Sequence, residues 1–308
     1  MTAPAFKYLD AKTLARLQTM ALRARAVVEG ALTGLHRAPH FGSSVEFAEH
    51  KEYSPGDEIR HIDWKAYGKF DKYYVKRFEQ ESELRAYLYL DCSGSMGYAG
   101  GDRRPKLEVG AYLVASLAYL LVRQQDQAGL LAFGGSLRSY IPPRARPQHL
   151  ADLLRALESV TPEGPTDVAR ALDYLTEVIR RRSMLVVLSD LFDQPAAILD
   201  RMRHLRARGH EVVVFHLLDP DEQAFPFDGL TLFESMEDER RLLVDTRAVR
   251  RSYLREMAAY LERWRRDAVD ADLVYVPVDT ARPLDRVLAD FLIGQERRRR
   301  HGRGRGSP

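Results

Sequence analysis

From residue 84 onward the chain repeats one pattern: a short apolar run, then a longer stretch whose apolar residues recur every three to four positions. Residues 84–90, 128–133, 184–189, 211–218 and 273–276 read as strands. Helices are expected over 106–123, 147–159, 166–180, 194–208, 248–270 and 283–294. The first of these carries Leu107, Ala111, Val114, Leu117 and Leu121, and the long one Tyr253, Leu254, Met257, Leu261 and Trp264, at helical spacing. Strands that are apolar on both sides need cover on both sides. The fold class is therefore α/β: a doubly wound, mostly parallel sheet with helices on both faces and right-handed crossovers. In such sheets ligands bind beyond the carboxyl ends of the strands, where the strand order reverses.

Before residue 81 the pattern differs. A helix is expected over 10–35, then a polar and aromatic stretch with a Ser-Pro-Gly-Asp turn at 54–57 and strand alternation at 73–78. Residues 1–80 thus read as an N-terminal helical and β region packed on the main domain, and 81–295 as the main domain. Residues 296–308 read as a disordered arginine-rich tail. That tail explains a net charge of +3, because residues 297–308 hold six arginines and no acid. Without it the body is mildly acidic, which argues against a nucleic-acid surface. A composition of Gly, Arg, Ser and Pro builds no core.

The most apolar stretch, 111–122, falls short of the roughly 20 residues that a membrane helix needs, so no membrane partner is expected. The N-terminus lacks the apolar stretch of a secretory signal. Cys92 is the one cysteine, which excludes an intrachain disulfide and fits the cytoplasm.

Three polar clusters fall where the carboxyl-end rule points. Asp91, Ser93 and Ser95 follow the first core strand, and alternation along that loop aims all three side chains one way. Thr166 precedes a helix, and Asp190 follows the strand 184–189. Two carboxylates and three hydroxyls are hard oxygen donors. They suit Mg²⁺ (or Mn²⁺ or Ca²⁺), and no nearby His or second Cys suits zinc. Gly94 and Gly97 are read as easing the backbone path. Each cluster also has a plainer reading: Asp and Ser favour turns, and Thr166 alone would serve as a helix cap. Cys92 reads as a small buried hydrophobe.

Asp91-Cys92-Ser93-Gly94-Ser95-Met96, then Gly164-Pro165-Thr166-Asp167, then Ser189-Asp190 after an apolar strand, together resemble the metal-ion-dependent adhesion site (MIDAS) of von Willebrand factor A domains. The resemblance implies that Ser93, Ser95 and Thr166 coordinate a cation directly or through water, with Asp91 and Asp190 as acidic ligands. It also implies an open position for a Glu or Asp from a protein partner. Two positions depart from the usual pattern: Pro165 replaces a glycine, and Leu191 stands where Ser-Asp-Gly is common. Upstream, His50–Asp57, Arg60–Lys65 and Phe78–Glu81 resemble the bacterial domain-of-unknown-function family fifty-eight. Its members are often encoded beside MoxR-type AAA+ ATPases, which implies an adaptor or co-chaperone role with such an ATPase.

The expected function is therefore non-enzymatic: a metal-dependent protein-interaction module. The alternative is a phosphatase-like hydrolase with Asp91 as nucleophile. Such enzymes usually carry a second acid two residues on, where this chain has Ser93, and the chain has no G-x-S-x-G or phosphate-binding glycine motif.

Overall fold

The computed structural model describes residues 7 and 8, 46–52, 74–79 and 84–304. The chain divides into two compact units, residues 32–83 and residues 1–31 with 84–308. Of the first 31 residues only Lys7 and Tyr8 are described, and both contact the α/β unit. Tyr8 is buried with its ring edge-on to Tyr112 at 5.1 Å, and the Lys7 amide donates to Glu158 at 2.7 Å. The helix expected over 10–35, the turn at 54–57 and the motif Arg60–Lys65 lie outside the described residues.

The smaller unit contains the antiparallel pair β1 (Glu46–Glu52) and β2 (Tyr74–Glu79), with Phe47 opposite Phe78. Alternation at 73–78 marks β2. The sequence of β1, Glu-Phe-Ala-Glu-His-Lys-Glu, has no apolar alternation to reveal it.

In the larger unit six strands form one sheet: β3 (Arg85–Asp91), β4 (Gln127–Phe133), β5 (Leu137–Arg144), β6 (Met184–Ser189), β7 (Glu211–Leu218) and β10 (Val274–Asp279), in the order β10-β7-β6-β3-β4-β5. All pairings are parallel except β4 with β5. The mostly parallel α/β architecture is the one expected. Edge strand β5, Leu-Arg-Ser-Tyr-Ile-Pro-Pro-Arg, was not legible in advance. Its tandem Pro142 and Pro143 argue against a central strand, and β5 is in fact an edge.

The helices are α1 (Lys106–Arg123), α2 (Pro147–Ser159), α3 (Val168–Val178), α4 (Pro195–Ala207), α5 (Pro220–Ala224), α6 (Thr246–Asp270) and α7 (Leu284–Gly304). Alternation in the strands sends side chains to two cores. Tyr87, Tyr89, Val187 and Val214 meet α3, α4 and the Trp264 end of α6. On the opposite face Phe215 meets Phe291 of α7 at 5.0 Å. There α1 lies so close that a Cβ on Gly110 would stand 2.7 Å from Leu90 Cδ1. Every residue of β6 is buried, and each such Leu or Val contributes about 1.5–3 kcal/mol by leaving water.

Helix α7 runs on through Arg297–Arg300 to Gly304, correcting the reading of a tail disordered from 296. Arginine is a good helix former, and the helix already nucleated over 284–295 extends into it at little cost. A second difference is the hairpin β8 (Leu230–Glu234) and β9 (Arg241–Asp245), inserted between α5 and α6 and unmarked by any expected strand.

The chain leaves β3 for α1 on one face and leaves neighbouring β6 for α4 on the other. The loops diverge between these two strands, and the candidate residues stand at that gap.

Candidate metal centre

Asp91 closes β3, and parallel pairing sets Leu90 beside Leu188, so Asp91 lies beside Ser189 at the end of β6. The Ser189 hydroxyl donates to Asp91 Oδ2 at 2.6 Å, and the Ser93 amide donates to Oδ1 at 3.0 Å. Asp91 is fully buried, and its partners are hydroxyl and amide donors. Burial, and then the charge of Asp190, push its carboxyl up to about 7. Two acids have been brought together where water cannot screen them, an arrangement that a cation would relieve.

Residues 94–97 form one 3-10 turn, and the Ser93 hydroxyl at its start makes no capping bond. It lies instead 3.2 Å from the Ser95 hydroxyl. Neither Gly94 nor Gly97 has positive φ, so conformational freedom does not explain them. A Cβ on Gly94 would sit 1.9 Å from the Met236 carbonyl oxygen; the glycine is there for close approach of the β8–β9 turn.

Thr166 lies on the loop before α3. That loop is tied to the first by Gly94 N–H to Gly164 O at 2.8 Å and Glu163 N–H to Cys92 O at 3.0 Å. The cap of α3 is Asp167, whose carboxylate accepts from Arg170 N–H at 3.0 Å. Thr166 is thereby released from that duty. Its amide donates to Glu237 Oε2 at 3.1 Å and its hydroxyl to Glu237 Oε1.

Asp190, one residue past β6, is fully buried. Its Oδ2 accepts from the Lys106 ammonium at 2.7 Å, and its backbone carbonyl meets His216 Nε2 at 2.8 Å. That bond makes Nε2 the protonated nitrogen, leaving Nδ1 to accept from the Tyr275 hydroxyl at 2.7 Å. Burial pushes the His216 imidazole down to about 4, so it is neutral. Lys106 is itself buried and also pairs with Glu222. Burial alone would lower its pKa, but the charges of Asp190 and Glu222 raise it, so it stays cationic.

The polar rim continues along the sheet. Asp219, after β7, accepts two bonds from Arg103 at 2.9 and 3.1 Å, one from Gly100 N–H at 3.3 Å and one from Asp221 N–H at 2.9 Å. Glu222 returns a bond to Asp219 N–H at 2.8 Å, forming a capping box for α5.

The structure thus joins the Asp91, Ser93 and Ser95 loop to the Thr166 loop and sets Asp190 beside them. Sequence reasoning missed Lys106, Glu222 and Glu237, and it placed Ser189 in the motif without giving it a role. A lysine opening an otherwise apolar helix was a usable signal for the first; nothing in the sequence ties Glu237 to the site. Among the described residues no three His, Cys, Asp or Glu side chains are placed to hold a metal. The oxygen set is two carboxylates plus hydroxyls, a chemistry that fits a hard divalent ion retaining waters. Cys92 is buried and burial pushes its thiol up to about 12, so it is inert, as a small hydrophobe would be. Among the described residues no helix is long and apolar enough to cross a membrane.

The family model described as "Protein of unknown function DUF58" matches residues 49–263. Uncharacterized proteins of Mycobacterium tuberculosis and Mycobacterium bovis are 29% identical over 257 residues, 82% of this chain and 80% of theirs. Among solved structures, BatB from Bacteroides thetaiotaomicron aligns over 70% of this chain and 99% of its own, at 16% identity and a TM-score of 0.45. A von Willebrand factor type A protein from Catenulispora acidiphila aligns over 72% of this chain and 43% of its own, at 16% identity and a TM-score of 0.38.

Proposed function

The chain belongs to the family described as Protein of unknown function DUF58, and on that footing we propose that it is a non-enzymatic, cation-dependent protein-interaction module. The supporting observations are that the loop of Asp91, Ser93 and Ser95 is hydrogen-bonded to the loop of Thr166 at the strand ends, and that Asp91 is a buried acid, raised by burial and by the charge of Asp190, with no cationic partner among the described residues. Asp91, Ser93, Ser95, Thr166 and Asp190 would hold Mg²⁺, or Mn²⁺ or Ca²⁺. A bound ion supplies an electrophilic position for a Glu or Asp of the partner, and exclusion of water strengthens that attraction. The partner we propose is a MoxR-type AAA+ ATPase, with the chain as its adaptor or co-chaperone in the cytoplasm.

A hydrolase using Asp91 as nucleophile gains no support from the geometry. Asp91 is fully buried, and both of its carboxylate oxygens accept hydrogen bonds. An affinity pull-down with Mg²⁺ or with EDTA, using wild type and Asp91→Ala, tests the reading. An AAA+ ATPase retained by wild type in Mg²⁺ alone is the expected result. Retention unaffected by EDTA or by the substitution would reject it.

A further inference from the structure

The geometry points to a second binding site: the aromatic cleft between α5, the β8–β9 hairpin and α6, which takes a peptide segment of a protein partner that sets an apolar side chain beside Lys or Arg. This site does not depend on a cation at the strand ends.

The cleft has a volume of about 810 Å³, within the range of roughly 300–1,000 Å³ typical of ligand pockets. Phe225, Phe227, Phe233 and Tyr253 line it as one cluster, with ring centroids 4.4 Å apart for Phe225 and Tyr253 and 5.1 Å apart for Phe227 and each of the other phenylalanines. The cluster is fixed before any partner arrives. Phe225 ends α5 with φ of +47°, a conformation bulky residues rarely adopt, and its ring is buried. The Tyr253 hydroxyl donates to the Glu222 carbonyl at 2.7 Å. Beside these rings, Leu232 and Leu242 also line the cleft, yet they are 52% and 65% exposed. Leu230 and Leu243 of the same hairpin are exposed as well. Contiguous apolar side chains left in water mark an interaction surface, and this one extends past the cleft, farther than a small ligand would cover.

Charge selects the kind of segment. The acids Asp221, Glu222, Glu234 and Glu256 line the cleft, and among the described residues no Lys, Arg or His does. Asp221 is held by Arg103 at 2.6 Å, and Glu222 by Lys106. Glu234 on the hairpin meets Arg241 at 3.0 Å, and Glu256 on α6 meets Arg255 at 3.5 Å. These last two pairs are exposed, and exposed pairs are worth little, so an arriving base can engage both carboxylates while its apolar neighbour enters the rings. A base over an aromatic face gains further attraction. An acidic segment, or an anionic lipid headgroup, would meet carboxylates instead.

Fluorescence anisotropy of labelled decapeptides with the full chain tests this. The probes are a peptide of alternating Lys and Leu with a central Trp, its Glu-for-Lys counterpart and its Ser-for-Leu counterpart. Wild type is expected to bind the Lys–Leu peptide about tenfold or more tightly than the other two, equally in Mg²⁺ and in EDTA. Glu234→Lys/Glu256→Lys should weaken that binding about tenfold. Glu262→Lys/Asp270→Lys, the same change of charge at exposed positions of α6 outside the cleft, should leave it unchanged. Ser252→Trp, at an exposed lining position, should fill the cleft and abolish it. Failure to bind the Lys–Leu peptide, equal binding of the Glu–Leu peptide, or an equal loss in both charge-reversal variants overturns the site. Peptide binding that requires Mg²⁺ also overturns it, because the peptide would then sit at the cation centre. A wild-type dimer in sedimentation velocity that Ser252→Trp dissociates assigns the cleft to a second copy of the chain and overturns the peptide reading.

Discussion

Leu191 follows Asp190 directly and has φ of +56°, in the left-handed region that glycine adopts freely and leucine does not. Its conformation is held on both sides. Its amide donates to Ser189 Oγ at 2.9 Å, and its carbonyl accepts from Tyr260 OH at 2.6 Å and from Asp193 N–H at 2.8 Å. Its side chain is fully buried among Val187, Ile198 and the α4 core, and that burial offsets the backbone strain. Replacing Leu191 therefore sets two effects against each other. Leu191→Ala loses the buried side chain and keeps the strain, costing about 2–5 kcal/mol. Leu191→Gly loses the same side chain but relieves about 1–2 kcal/mol of left-handed strain. The freer unfolded chain of the glycine variant returns about 0.4–1 kcal/mol of that. Glycine should then be at least as stable as alanine, by up to about 1.6 kcal/mol, the reverse of the order in a helix or strand, while both fall below wild type. Urea unfolding followed by circular dichroism, comparing midpoints at a common slope, measures the difference. An alanine variant more stable than the glycine variant refutes the claim that residue 191 is held left-handed.

Lys106 and Asp219 give two further predictions. Lys106→Met leaves Asp190 and Glu222 without their shared ammonium and should cost about 3–5 kcal/mol in chelator, with Lys106→Met/Glu222→Gln recovering part of it; a loss under about 1 kcal/mol in urea unfolding would mean that the ammonium does not hold buried charge. For Asp219, burial alone would raise the carboxyl, but hydrogen bonds from Arg103, Asp221 N–H and Gly100 N–H outweigh it and lower the pKa. A carboxyl lower in the folded state than the usual value of about 3.9 stabilises the fold above that pH and loses the contribution as pH falls through its folded value. Asp219→Asn should flatten the acid limb of stability against pH below about 4, and an unchanged limb counts against the network.

The parts of this fold that could be read from the chain were those where one force dominates. Runs such as Met-Leu-Val-Val-Leu-Ser at 184–189 have a single stable location, and burial placed β6 where the pattern put it. The α1 and α2 boundaries, at 106–123 and 147–159, followed from apolar spacing in the same way. Strand β5 was hidden because an edge needs neither alternation nor full burial, and its prolines spoke against a strand. The β8–β9 hairpin was hidden because Leu230, Leu232, Leu242 and Leu243 are largely exposed, so no solvent-driven pattern marks it. At the centre itself, residues next to strand ends were legible from local spacing. Lys106 and Glu237 reach it from Asp190 and Thr166 across 84 and 71 residues, and contacts of that kind leave no local trace.

Proline occupies both outer strands of the central sheet, at 142 and 143 in β5 and at 277 in β10. Adjacent residues of a strand send their N–H groups to opposite sides, so one proline of the β5 pair removes a donor from the outward side. The β5 rim of this sheet therefore does not present the unbroken row of donors and acceptors on which a visiting strand could zipper. Growth of the sheet from its β5 flank, whether by aggregation or by a docking peptide, is thereby discouraged.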